Sequence, residues 1–184
     1  MSEEMIVKHC APTLAGIKTG NLFSCPYKSR KMLCDEICSV NRCLVPKGVR
    51  VIPLRFSEGH VLIYVYRPAR LETDLSSKQA TKLLEPLGYT ESKCSRCIVR
   101  LIERLRECDE FPHEIGLFLS YPPEDVRGFI DNAARNFKCV GCWKVYGDEQ
   151  QARKQFSRFA RCTECYCRKF RQGFDLNRLA VAAG

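Results

Sequence analysis

Apolar residues follow three patterns along this chain: spaced at three and four, alternating, and gathered in short unbroken runs. The first pattern marks helices. Leu33, Ile37, Val40 and Leu44 form a stripe on a helix over residues 29–43, and Cys34 and Cys38, four apart, widen it. Cys94, Cys97, Ile98, Leu101, Leu105 and Cys108 form a second stripe, on a helix that opens at Glu91-Ser92-Lys93. Ala152, Phe156 and Phe159 form a third, on a long helix capped by Asp148. Residues 71–84 also read as helical. Ser2 caps a short helix at the start, which should end before Pro12.

The other two patterns mark strands. Residues 49–56 and 60–66 flank Ser57-Glu58-Gly59 and read as a hairpin entered through Lys47-Gly48. The apolar run 113–121, bounded by prolines, reads as a buried strand, and 22–26, closing on Pro26, reads as a strand end. Pro122-Pro123-Glu124-Asp125 opens a short helix, residues 139–146 read as one more strand, and Gly147-Asp148 breaks it. Strand, helix, strand, helix thus occurs twice, which suggests a duplicated unit. The expected fold is α/β: a single domain over residues 1–184, with a mixed sheet of about five strands backed by helices. Its halves would be 10–86 and 111–172, joined by a helical connection over 87–110.

Composition narrows the class without naming a reaction. A chain of 184 residues, 45% hydrophobic and 28% charged, has the make-up of a globular protein with a real core. No apolar run approaches the ~20 residues needed to span a bilayer, so no membrane partner is expected. The first residues, MSEEMIVK, carry acids where a secretion signal needs basic residues, so a cytoplasmic location is expected. Thirteen cysteines, an odd number, then point to free thiols, metal ligands or redox pairs rather than to a disulfide framework.

The net charge of +9 raises the question of a nucleic acid or an acidic protein as partner. Arg153, Lys154, Arg158, Arg161, Arg168, Lys169 and Arg171 cluster on the last long helix, interleaved with Phe156, Phe159, Tyr166 and Phe170. Stacking rings beside phosphate-binding charges would suit a nucleic acid. A solvated helix face with its rings turned into the core is the preferred account, because no nucleic-acid motif accompanies the charge.

His9-Cys10-Ala11-Pro12-Thr13-Leu14 resembles the signature of an uncharacterised family of small bacterial proteins, mostly from anaerobic Firmicutes. The stretches His113-Glu114-Ile115-Gly116-Leu117-Phe118-Leu119, Tyr121-Pro122-Pro123-Glu124-Asp125-Val126 and Trp143-Lys144-Val145-Tyr146-Gly147-Asp148 are similar to that family as well. The resemblance spans nearly the whole chain. It implies a domain of unknown function and carries no active site with it.

Two cysteine sites follow from the residues themselves. Cys10 is a candidate nucleophile, but its neighbour His9 points about 100° away on a helix, so His113 or Lys18 would have to support it. The loop Ala15-Gly16-Ile17-Lys18-Thr19-Gly20-Asn21 beside it has the make-up of an anion-binding turn without P-loop spacing. Cys139, Cys142, Cys162 and Cys165 form C-x2-C-x19-C-x2-C, within the range of a four-cysteine zinc site. A strand climbing about 13 Å from Cys142 to Tyr146, and a helix returning about 20 Å to Cys162, would bring both pairs to one end of the domain. Cys94-Ser95-Arg96-Cys97 is preferred as core, since no strand precedes it.

Three readings remain open at this point. The first is a protein binding zinc or an iron–sulfur cluster, structurally or in thiol redox. The second is a thiol enzyme centred on Cys10, with His9, Lys18 and His113 around it. The third is a binding module for nucleic acid or an acidic partner.

Overall fold

The computed structural model describes residues 1–89, 93–107 and 110–182. Glu91 and Ser92, expected to open a helix, and Cys108, expected at its end, lie outside the described residues. The architecture is α/β, with five strands among the described residues divided between two antiparallel sheets. The chain forms two compact units: 1–69 with 161–184, and 70–160.

The first unit is built on a three-stranded sheet in the order β1-β3-β2, from β1 (Gly20–Pro26), β2 (Arg50–Ser57) and β3 (His60–Tyr66). The expected hairpin is β2–β3. Gly48 and Gly59 supply its turns at φ 73° and 69°, a region that costs glycine little. Pro53 lies on the edge strand β2, where a missing N–H can be tolerated, beside a register shift. Helices α1 (Glu3–Leu14) and α2 (Arg30–Leu44) cover the sheet with the short α9 (Leu176–Leu179). Their core joins Ile6, Cys10 and Leu14 to Leu33, Ile37, Ile63 and Leu176. Asn41 ties α2 to β2, accepting from Val51 N–H at 2.9 Å and donating to Val51 O at 2.8 Å.

Ser2 caps α1 as expected, but the helix runs past Pro12 to Leu14. Arg67, at the end of β3, accounts for this. Arg67 is 4% exposed. It donates to Thr13 O at 2.7 Å, Leu14 O at 2.8 Å and Val181 O at 2.7 Å. A buried cation on the last carbonyls of α1 satisfies groups that a helix end leaves open and complements the dipole.

The second unit is mostly helical. The expected helix 71–84 divides into α3 (Pro68–Leu75) and α4 (Lys78–Leu84), with Ser77 accepting from Ala80 N–H as the new cap. In α5 (Cys94–Glu107) the stripe Cys94, Cys97, Ile98, Leu101 and Leu105 is buried, as its spacing requires. The run 113–121 is not a strand. It holds the four-residue helix α6 (Ile115–Phe118), buried throughout. Glu114 before it is also buried, and accepts from Tyr89 Oη at 3.1 Å and from Arg104. Helix α7 (Pro123–Asp131) starts on the expected prolines. The stretch 139–146 is a hairpin of β4 (Cys139–Val140) and β5 (Lys144–Val145), turning at Gly141-Cys142. Helix α8 (Glu149–Arg171) follows, and Asp148 accepts from Gln151 N–H at 3.0 Å as its cap.

These corrections dispose of the duplication. The stretch matched to β1 is a helix, and the strands of the two supposed copies lie in separate sheets. Cys34 and Cys38 depart from expectation too: both are exposed, on the outer side of α2 from Leu33 and Ile37. No described helix is long and apolar enough to cross a membrane.

Candidate functional site

Cys10 has no accessible surface, and its place is in the aliphatic core of the first unit. Burial pushes its thiol far above the ordinary cysteine range, and the opposing charge of Lys18 does not offset this. A thiol needs to become thiolate to act as nucleophile, so this environment opposes that chemistry. Lys18 is brought close, whereas His113 belongs to the other unit. His9 stacks on Phe23 at 5.4 Å, and burial, then Lys8, holds its imidazole below the usual pKa. The neighbouring loop turns its backbone inward. Ala15, Gly16, Ile17 and Lys18 N–H donate to carbonyls of Ala11, Thr13 and Pro12. They are not arranged to receive an anion.

The four paired cysteines are placed as follows. Cys139 is buried on β4 and Cys142 is exposed in the hairpin turn, both in the second unit. Cys162 and Cys165 are half-buried on α8, in the part assigned to the first unit. The reach argued from sequence assumed one strand running straight from Cys139 to Tyr146, and the hairpin removes that premise. Among the described residues no group of three or more His, Cys, Asp or Glu could hold a metal ion.

The basic residues of α8 are exposed, but the interleaved rings are not presented with them. Phe159 is buried, and Tyr166 and Phe170 pack against the core of the first unit. Phe156 lies edge-on to Trp143 at 4.5 Å. The structure matches a solvated helix face with inward rings.

Chemistry-bearing groups gather instead in the second unit, around a cavity of about 400 Å³. Its walls are ring-rich: Phe111, His113, Tyr121, Phe129 and Trp143, over a floor of Ile115, Leu119 and Val126. Tyr121 stacks on Trp143 at 4.8 Å, and His113 meets Phe129 edge-on at 4.9 Å. The stretches 113–126 and 143–148, separate in sequence, build most of it.

Asp125 holds these stretches together. It is 3% exposed. Its Oδ2 accepts from Trp143 Nε1 at 2.7 Å, and its Oδ1 from Tyr146 and Gly147 N–H, each at 2.7 Å. One carboxylate on α7 thus fixes the indole of the pocket wall and the backbone leading out of β5. Gly141 lets α8 approach the hairpin, since a Cβ there would lie 2.3 Å from the Phe156 ring. Tyr121 Oη donates to Cys142 O at 3.1 Å, closing the rim. Burial, and then the charge of Cys142, pushes the Tyr121 phenol up to about 12.

Two groups at the Phe129 side supply polarity. The His113 imidazole contacts that ring edge-on, and Lys144 Nζ stands 5.8 Å from its centre. Lys144 also donates to Ala134 O at 2.8 Å and sits 4.9 Å from the Phe137 ring. The sequence had marked His113 only as a helper for Cys10. Phe129, Trp143, Lys144 and Asp125 carried no functional expectation of their own, although three of the four lie in the stretches that resemble a known family.

Neither a curated protein nor a solved structure matches the chain. A family model described as a protein of unknown function, DUF3793, matches residues 6–180. That match takes in the core of the first unit and every wall of the cavity, and on its strength the chain belongs to the DUF3793 family.

Proposed function

We propose that the second unit is a binding module for a small molecule with a flat, largely apolar body. The observation that carries this is the ring-lined cavity of about 400 Å³, clamped by Asp125. Its volume lies in the range of ligand sites, and such sites combine mostly aromatic walls with a few placed polar groups. Rings also bury a large area at little cost in conformational freedom. The reading takes a reducing, cytoplasmic setting as its context, in which the described cysteines stay thiols.

The chain has a single tryptophan, and Trp143 is in the wall, so its fluorescence reports this site alone. Titration with the neutral probe N-phenyl-1-naphthylamine should quench Trp143 saturably and transfer energy to the probe. Phe129→Ala should weaken binding about tenfold by removing one stacking wall. Absence of saturation up to about 1 mM probe would reject the module.

A thiol or soft-metal role is a second reading, favoured by one observation. Cys34 and Cys38 are exposed one turn apart on α2. Helical Cβ atoms at that spacing are about 5–6 Å apart, wider than the ~3.5–4.5 Å of a disulfide. A thiophilic ion bridging both sulfurs fits better than their direct oxidation. Phenylarsine oxide should then bind with loss of two free thiols, and either Cys34→Ser or Cys38→Ser should abolish it. Retention in both variants would remove this reading.

A further inference from the structure

The cavity is electrically lopsided. Asp125 is the one carboxylate among the described lining residues, and its oxygens accept from the indole and from two backbone N–H groups. Its charge is therefore committed to the wall rather than offered to an occupant. Lys144 and His113 stand instead around the same Phe129 ring. Lys144 uses one of its three ammonium donors on Ala134 O, and its ammonium lies over two aromatic faces that leave it positive. His113 is exposed and meets the same Phe129 ring, with an imidazole that can donate as well.

We infer that the ligand is a planar aromatic acid: its rings lie against the stacked Tyr121–Trp143 pair and Phe129, and its anionic group is held by Lys144 and His113. This rests on the binding-module reading and adds the charge of the ligand to it. A half-buried ammonium is a strong discriminator, because a charged partner there gains a charge-assisted bond in a medium less polar than water. A cationic ligand would find only Asp125 among the described lining residues, and that carboxylate already accepts three hydrogen bonds from the wall. A neutral ring of the same shape would keep the stacking and lose the ion pair.

Two probes separate these cases. N-phenyl-1-naphthylamine is neutral, and 8-anilinonaphthalene-1-sulfonate has the same ring system with an anionic group. Both are read through Trp143 on the full chain. The anion should bind about tenfold more tightly than the neutral probe, with an affinity that falls as salt is added. Lys144→Met should remove that advantage and leave the neutral probe within about twofold. Neutral-probe binding by the variant also shows that its pocket is still formed. Should Lys144→Met disturb the Ala134 segment, His113→Phe, which keeps a ring in the wall and removes its N–H donor, provides the same comparison without touching that bond. Equal affinity of the two probes in the unmutated protein, or equal weakening of both by Lys144→Met and His113→Phe, overturns the acid and leaves the module standing. Failure of both probes overturns the two together.

Discussion

Asp125→Ala is the sharpest perturbation of the site. The substitution removes three bonds of 2.7 Å to a carboxylate that is 3% exposed. Bonds to a charged group contribute about 1.5–3 kcal/mol each, or about 4.5–9 kcal/mol gross. Part of that returns, because an alanine no longer holds a charge away from water, at a cost of several kcal/mol. The buried indole N–H and backbone donors are left stranded. A net loss of about 3–5 kcal/mol follows, the range found when one side of a buried charged contact is deleted. Urea unfolding followed by Trp143 fluorescence reads the second unit directly. With a slope of about 2 kcal/mol per molar, the midpoint should fall by about 2 M. Asp125→Asn should fall between: its amide oxygen can still accept from Tyr146 and Gly147, but its NH2 then faces the Trp143 N–H, donor against donor. A loss below about 1 kcal/mol for Asp125→Ala would refute the clamp.

Three further outcomes follow. Arg67→Met should destabilise the first unit by about 3–5 kcal/mol, because the carbonyls of Thr13, Leu14 and Val181 lose a buried charged donor; hydrogen exchange along α1 would show it, and unchanged protection would contradict it. Tyr146→Phe should be neutral or stabilising by up to about 1–3 kcal/mol, since the Tyr146 hydroxyl is buried without a hydrogen-bond partner among the described residues; thermal unfolding decides, and a clear loss would reveal a partner. Iodoacetamide at neutral pH should modify Cys34, Cys38 and Cys142 early and Cys10 only on unfolding, read by peptide mass spectrometry; early loss of Cys10 would reopen it as a nucleophile.

What was legible in the sequence was local. The β2–β3 hairpin followed from alternating residues between two glycine turns, and α5 from five apolar positions whose spacing has one structural solution. The apolar run around Ile115 misled because a short, fully buried helix and a buried strand have the same composition, and periodicity cannot separate them over four residues. The stretch 139–146 concealed its turn at Gly141-Cys142. That glycine matters for the approach of Phe156, which no local pattern announces. Pro12 was read as a helix stop, and α1 passes it because Arg67, fifty-five residues away in sequence, holds the carbonyls beyond it. The candidate site was hidden for a similar reason. Cysteine spacing drew attention to thiols, whereas the cavity is made by rings and one carboxylate from stretches that only the fold brings together.

Occupancy of the Phe129–Trp143 cavity by a small molecule can be followed at the tryptophan itself. The chain's one indole N–H gives a single, easily assigned resonance in an amide correlation spectrum, and it is hydrogen-bonded to Asp125. Titrating labelled protein with 8-anilinonaphthalene-1-sulfonate should shift that resonance together with the amides of Gly116, Phe129, Gly141 and Lys144, along one saturating curve. Shifts confined to other surfaces, or an indole resonance that does not move while the probe binds, would contradict the account.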